Sequence, residues 1–415
     1  MRFAARVDHL GGGSVTAWDI HNAGKEALAR GENVIVLSVG DPDFATPQAI
    51  TDAAISSLTG GDTHYTTVAG KRDLRKAIAA HQARRTGLAL HEDHVLIVAG
   101  AQNGLFSAAQ CLFDPGDEVI VPEPAYLTYE ATIGATGAKM IRAAATRDGR
   151  FRPDLAALED AVTPHTRGIM LANPGNPTGI VMTRAELEGI AKIAINHDLW
   201  VISDEVYAEL VFDGTFESIA SIPGMAERTV TIGSLSKSHA MTGWRIGWMI
   251  APEALITHAD HLALCSLYGL PGFIQNGAIQ AIADLDHIAP QMRAFLSDDL
   301  EFDEAAVKKH LSDPALAGHL QIWIDVLLEL GTFDAATLEP ALRALADARG
   351  IKPGVLIHAT RVAVRLPAGS RVALGRAGRM NATVRVSMQG SGGTSASTTA
   401  RLLLQASPRL RANAR

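Results

Sequence analysis

Between about residues 90 and 250 the chain alternates two patterns of apolar positions. Short runs rich in Val and Ile recur as "HVLIVAG" (94–100), "DEVIVPEP" (117–124), "TRGIMLANP" (166–174), "LWVISDE" (199–205), "RTVTIGS" (228–234) and "RIGWMIAP" (245–252). Runs this short, apolar on both faces and ending in Gly, Pro or Asp, predict buried strands. Between several of them the apolar spacing becomes helical. In "TRAELEGIAKIAINHD" (183–198), Leu187, Ile190, Ala191 and Ala194 share one face, and Thr183 with Glu186 has capping-box spacing. Strand and helix in alternation predict an α/β fold whose mostly parallel sheet is covered by helices. Ligands of such sheets gather beyond the carboxyl ends of the strands. Gly100-Ala101-Gln102, Asn176, Asp204 and Lys237 all fall there.

After about residue 290 the texture changes. "DEAAVKKHL" (303–311), "HLQIWIDVLLELG" (319–331) and "TLEPALRALADARG" (337–350) predict helices, the last two closed by glycine. A strand is expected at "ATVRVSM" (382–388), a linker at "GSGGTSAST" (390–398) and a last helix at "TARLLLQA" (399–406). The second part of the chain is thus expected to be atypical and partly all-helical.

Composition narrows the class. The 415 residues suffice for two domains, and 47% hydrophobic with 20% charged residues excludes wholesale disorder. A net charge of -7 gives no general attraction to nucleic acid or acidic membranes. Residues 361–415 nevertheless carry arginines and no Asp or Glu, which reads as a solvated edge or tail. Two cysteines, Cys111 and Cys265, make no disulfide framework and fit a reducing cytoplasm. The start, "MRFAARVDHLGGGS", lacks a signal-peptide core, and no apolar run reaches membrane-spanning length. A cytoplasmic protein is expected.

Candidate chemistry centres on "SLSKSHAMTGWRIGW" (234–248), where Lys237 stands among hydroxyls with Arg245 eight positions on and no acidic neighbour. A cofactor built from an aldehyde, a phosphate and a pyridine ring needs an amine to hold the aldehyde and shuttle protons. Lys237 can do both; a solvated surface lysine is the plainer reading. The ring nitrogen needs a carboxylate, which Asp204 can supply, unless it simply caps a helix at "EVYAEL". Tyr207 and Asn176 can reach a phenolic oxygen, and Tyr126 can lie on a ring face; as ordinary core aromatics the two tyrosines need no ligand. For the phosphate, the amides of Ala101 and Gln102 follow a glycine turn at Gly100 into a helix start, and Ser234, Ser236 and Arg245 add donors.

In combination these words resemble one family. "VGDPDFATP", "HYTTVAGKRDLRKAIA", "NPGNPTG", "SDEVYAEL" and "SLSKSHAMTGWRIGW" are similar to the class I/II aminotransferases of fold type I, over residues 1 to about 285. "AWDIH", "HDLWVISDEVY" and "LALCSLYG" point to their arginine–pyruvate branch. The resemblance implies pyridoxal 5'-phosphate attached at Lys237, with Asp204 on the ring nitrogen and Tyr207 and Asn176 on the phenolic oxygen. It puts Tyr126 on the ring and Gly100, Ala101, Gln102, Ser234, Ser236 and Arg245 around the phosphate. It also implies a homodimer in which Tyr65 reaches the neighbouring subunit's phosphate, with Gly40 and Arg385 receiving the substrate carboxylate and Asn176 also at the substrate. Substrates would be an L-amino acid, arginine by resemblance, and a 2-oxo acid such as pyruvate. A carbon–sulfur lyase or decarboxylase of the same fold, and a chimera that binds cofactor or RNA without turnover, remain the alternatives.

The resemblance breaks from about 295 to 365. There "FLSDDLEFDEAAVKKHL" and "LELGTFDAATLEPALRALADARGIKPGVLIHATRVAV" are similar to the helical anticodon-binding end of glutamyl-tRNA synthetases. No synthetase active-site motif accompanies them. Family character returns from "LPAGSRVALGRAGR" through "VRVSMQGS". The expected organisation is an N-terminal arm (1–40), a large cofactor-binding domain (41–290), a synthetase-like helical segment (291–366) and a small-domain remnant with an Arg-rich tail (367–415).

Overall fold

The computed structural model describes residues 3, 7, 10, 14–32, 34, 36, 38–42, 45–146, 150–294, 319, 322–323, 326, 335–352, 379–389 and 395–405. Two compact units divide the chain. One comprises Met1–Thr146 with Phe151–Arg293, the other Arg147–Arg150 with Ala294–Arg415.

The first unit begins with helices α1 (Ser14–Ala29), α2 (Gln48–Thr59) and α3 (Arg72–Thr86). Strands and helices then alternate: β1 (Val95–Val98), α4 (Ala101–Leu112), β2 (Glu118–Pro122), α5 (Tyr129–Gly134), β3 (Lys139–Ala143), α6 (Leu155–Asp160), β4 (Thr166–Ala172), α7 (Arg184–Asn196) and β5 (Trp200–Asp204). The alternation closes with β6 (Thr229–Ser234), β7 (Gly247–Ile250), α8 (Glu253–Ser266), α9 (Gly272–Ala283) and α10 (Leu285–Ala294). The strands form one sheet in the order β1-β7-β6-β5-β4-β2-β3. Only β7 runs against its neighbours, pairing antiparallel with β1 and β6. The other pairings are parallel, as expected of strands buried on both faces.

The six strands read from the sequence are all present. The seventh, β3, was not anticipated, because its "KMIRA" puts two half-buried residues between exposed Lys139 and Arg142 at the sheet edge instead of forming an apolar run. Helix α7 is built as its sequence dictates. Thr183 Oγ1 accepts the Glu186 amide and Glu186 returns a carboxylate oxygen to the Thr183 amide, closing the capping box. Its buried face holds Leu187, Ile190, Ala191 and Ala194. Complete burial of Leu187 and Ile190 contributes about 2 kcal/mol each. Core residues lie on both faces of the sheet: α4 and α8 cover one with Leu105, Ala108 and Ile256, while α7 covers the other with Leu187 and Ile190.

In the second unit the expected helix at 337–350 forms as α11 (Ala335–Ala348), ending at Gly350 with φ 65. Ile351 turns back to the Ala346 carbonyl there, and Trp323, Leu345 and Ala346 make a small core. Residues 303–311 lie outside the described residues; of 319–331, positions 319, 322, 323 and 326 are helical. The strand expected at 382–388 lies within β8 (Arg379–Gln389). The helix expected at 399–406 is not one: it belongs to β9 (Ser395–Gln405), antiparallel to β8. β9 also takes in residues 395–398 of the expected linker, of which 390–394 lie outside the described residues. The consecutive leucines 402–404 suit either period, and a long-range ladder overrides local preference; Thr398 and Thr399 add β-branched stiffness.

Candidate active site

Four carboxyl-terminal strand ends and the turns after them supply the site. Strand β5 alternates sides, so Ile202 and Asp204 face the layer that contains Tyr129, while Val201 faces the opposite layer. Asp204 is buried. Its Oδ2 accepts the Tyr129 hydroxyl at 2.9 Å and its Oδ1 accepts the Val206 amide at 3.3 Å. Burial raises its pKa to about 6 against the lowering effect of those two hydrogen bonds. No Lys or Arg pairs with it among the described residues. The capping alternative does not hold, because residues 206–209 form a turn and no helix follows Asp204 there. An acid this deep with two neutral donors and no cation fits the nitrogen of a protonated ring.

At the end of β1, Gly100 takes φ 78 and precedes α4, whose first amides have no acceptor within the helix. Arg245 sits against this turn. A Cβ on Gly100 would lie 2.6 Å from Arg245 Nη2. The guanidinium is exposed and donates to the carbonyls of Thr242 (2.9 Å) and Ala99 (3.2 Å). It pairs with no carboxylate among the described residues. Ser234 Oγ donates to the Ile246 carbonyl at 2.9 Å and lies 2.8 Å from Ser236 Oγ, so both hydroxyls are buried at the same wall. Close approach makes this possible: a Cβ at Gly247 would come within 2.8 Å of the Gly233 oxygen and 3.0 Å of the Ala101 nitrogen. A helix start, an unpaired guanidinium and two hydroxyls make an anion cradle.

Lys237 stands three residues beyond β6, half-buried, and its Nζ donates to the Gly40 carbonyl. Burial lowers its pKa, Asp41 opposes that shift, and Arg245 adds to it. The absence of an acidic neighbour in the sequence is therefore incomplete as a description, since the fold brings Asp41 from the chain's start. Asp41 Oδ1 accepts the Thr242 hydroxyl at 2.7 Å, and the Thr242 carbonyl is one of the two that hold Arg245.

Tyr207 and Asn176 meet, the amide nitrogen lying 3.5 Å from the phenolic oxygen. Tyr126 stands edge-on to Tyr129, centroids 5.6 Å apart. Desolvation raises the pKa of both Tyr126 and Tyr207, and the charge of Asp204 adds to it. The Gln102 side chain is occupied by Thr132 and Thr128, so only its backbone amide is left to face an anion.

For two expected residues the described contacts show no link to this set. Tyr65 is 86% exposed and packs on Tyr268 at 5.1 Å. Arg385 lies on β8 opposite Thr399 in the second unit, and its side chain lies outside what is described. Tyr129, Asp41 and Thr242 were missed. The first reads as a core aromatic in "LTYEATIG", and the other two gain meaning only through contacts about 200 residues apart along the chain.

These residues fit pyridoxal phosphate: an acid without a cation for the ring nitrogen, an anion cradle for the phosphate, and an amine of lowered pKa for the aldehyde. Comparison with known proteins agrees. The family model of class I and II aminotransferases matches residues 32–312, and one of an anticodon-binding domain matches residues 279–370. An arginine–pyruvate transaminase of Pseudomonas aeruginosa is 50% identical over 282 residues, 68% of this chain and 72% of that protein. A putative aminotransferase of Bacillus subtilis is 40% identical over 256 residues, 60% of this chain and 65% of its own. In structure, the Thermus thermophilus aspartate aminotransferase with maleate matches with TM-score 0.68 and 28% identity, covering 78% of this chain and 81% of that one. These relatives do not favour lysis, decarboxylation or a shell without turnover. Among the described residues no helix is long and apolar enough to cross a membrane. The chain therefore belongs to the class I and II aminotransferases, enzymes that use pyridoxal phosphate to move an amino group between an amino acid and a 2-oxo acid.

Proposed function

We propose that this enzyme takes the amino group of L-arginine and gives it to pyruvate, as a cytoplasmic homodimer with shared sites. The observation that carries the site is the buried Asp204 carboxylate without a cation, on the same rim as Lys237 and Arg245. The substrate assignment rests on the Pseudomonas aeruginosa relative at 50% identity.

Pyridoxal phosphate, when bound, supplies an electron-withdrawing ring that stabilises negative charge at the substrate α-carbon. Around it each residue has one task. Asp204 holds the proton on the ring nitrogen, and Tyr129 fixes the carboxylate by donating to Oδ2. Arg245, the amides of Ala101 and Gln102, and Ser234 and Ser236 hold the phosphate. Tyr207 and Asn176 orient the phenolic oxygen, and Tyr126 covers the ring. Lys237 would hold the aldehyde and, as a free amine, would take and return the proton at the substrate α-carbon. Lowered basicity suits that second task, because more of the amine is neutral near pH 7. Gly40 and Arg385 receive the substrate carboxylate, and Tyr65 serves the phosphate of a second subunit. We take residues 41–290 as the cofactor-binding domain, 291–366 as a synthetase-like insert, and 1–40 and 367–415 as its flanks.

A half-reaction tests the reading. L-arginine added to the purified protein should convert the visible absorbance of the bound cofactor, and pyruvate should restore it. Lys237→Ala should bind the cofactor without that cycle. No conversion by arginine but conversion by another amino acid would move the substrate and keep the chemistry; no conversion by any amino acid would remove the proposed activity.

A further inference from the structure

Away from this site, the turn leading into β1 and the start of α8 bring three metal-binding side chains together. His91 caps the 3-10 turn Glu92–His94, and Glu253 opens α8. The two segments are fixed to each other, because β1 and β7 pair and the Ala251 amide donates to the His94 carbonyl at 3.1 Å. His91 Nε2 lies 3.1 Å and His94 Nε2 3.9 Å from the same oxygen, Glu253 Oε1. One ligand atom from each residue lies within 4.8 Å of the others.

We propose that His91, His94 and Glu253 bind one divalent transition-metal ion, zinc in the first instance. Imidazole nitrogens and carboxylate oxygens lie about 2.0–2.2 Å from zinc, so two ligands on one ion stand about 3–4 Å apart. The two Glu253 distances already fall in that range. The remaining separation closes by side-chain rotation, which the half-exposed His91 and exposed Glu253 permit. Two imidazoles and one carboxylate select a borderline ion such as zinc over magnesium or calcium.

The second shell sets the strength. His91 Nδ1 accepts the Asp93 amide at 3.4 Å, and His94 Nδ1 accepts the His91 amide at 3.3 Å, both long contacts. Coordination through Nε2 moves the ring hydrogen to Nδ1. For His91 it then faces Asp93 Oδ2, 3.7 Å away, the outer carboxylate that metal-bound imidazoles commonly have. Both histidines give up the backbone amides that their Nδ1 atoms accept, the Asp93 amide for His91 and the His91 amide for His94. Affinity is accordingly micromolar and not that of a dedicated structural site. His94 and Glu253 also line an open cavity of about 400 Å³ with Leu88, Leu90, Ile250 and Pro252. Three protein ligands leave a coordination position for water or a small anion there.

Zinc titrated into the chelator-stripped full-length holoenzyme, read by competition with a chromophoric chelator, tests the site. One equivalent per chain should bind with a dissociation constant on the order of micromolar. His94→Ala and Glu253→Gln should each weaken it about tenfold or more. Thermal midpoints without metal show that both variants fold, and added zinc should raise the midpoint of the wild type alone. Uptake unchanged in both variants, or no uptake at micromolar zinc, would overturn the assignment.

Discussion

Asp204 shows how much one residue's surroundings decide. Its pKa is raised from the ordinary carboxylate value to about 6 by burial. For an acid whose folded pKa lies above its unfolded one, the stabilising contribution is complete below about pH 4 and is lost as pH rises through about 6. Cofactor-free protein should therefore lose up to about 3 kcal/mol from this group by about pH 8. Asp204→Asn keeps an acceptor for Tyr129 and removes the charge. Cofactor-free Asp204→Asn should be the more stable protein at about pH 8 and gain nothing near pH 4, in urea unfolding of both forms. A gain at both pH values would mean that packing, not ionisation, is responsible. Gly100 makes a second case. Gly100→Ala meets a positive φ and the Arg245 guanidinium at once, and the cofactor should dissociate about tenfold more readily, an effect of about 1.4 kcal/mol. Equilibrium dialysis measures it. Lys237, Asp204 and Arg245 were legible in the sequence because their residue types are fixed by charge demand at strand ends. Tyr129 was not, since a tyrosine inside an apolar helix start carries no local sign of an acid 75 positions later.

At the scale of elements, the sequence was most readable where a local rule closes on itself. Helix α7 announces its start through Thr183 and Glu186, and its buried face through residues at helical spacing. Thr183→Ala should lower stability by about 1 kcal/mol while leaving the cofactor spectrum unchanged. A denaturant midpoint at the wild-type value would mean that Arg152, bonded to Glu186, holds the turn without the threonine. Elements defined by partners were harder to see. Edge strand β3 has a mixed pattern, and β9 looks helical until β8 lies beside it.

For the whole molecule, the exposed Tyr65 is the residue on which the proposed shared site turns. If a second subunit supplies the phosphate with this hydroxyl, Tyr65→Phe should weaken cofactor binding several-fold without lowering the chain's own stability. Sedimentation should find a dimer. A monomer, or a Tyr65→Phe variant that binds the cofactor as tightly as the wild type, would remove the shared-site reading. The break in family character near residue 295 was visible in the sequence as a change of texture, and both family models meet there, one ending at 312 and the other beginning at 279.

The sheet order has a further consequence. β4, β5 and β6 are consecutive neighbours, and the groups at or just past their ends are Asn176, Asp204 and Lys237. Adjacent strands lie about 4.8 Å apart, so three of them span about 10 Å, roughly the width of a substituted pyridine ring. The footprint of the grip is thus ruled by backbone hydrogen bonding, a gauge indifferent to most side chains.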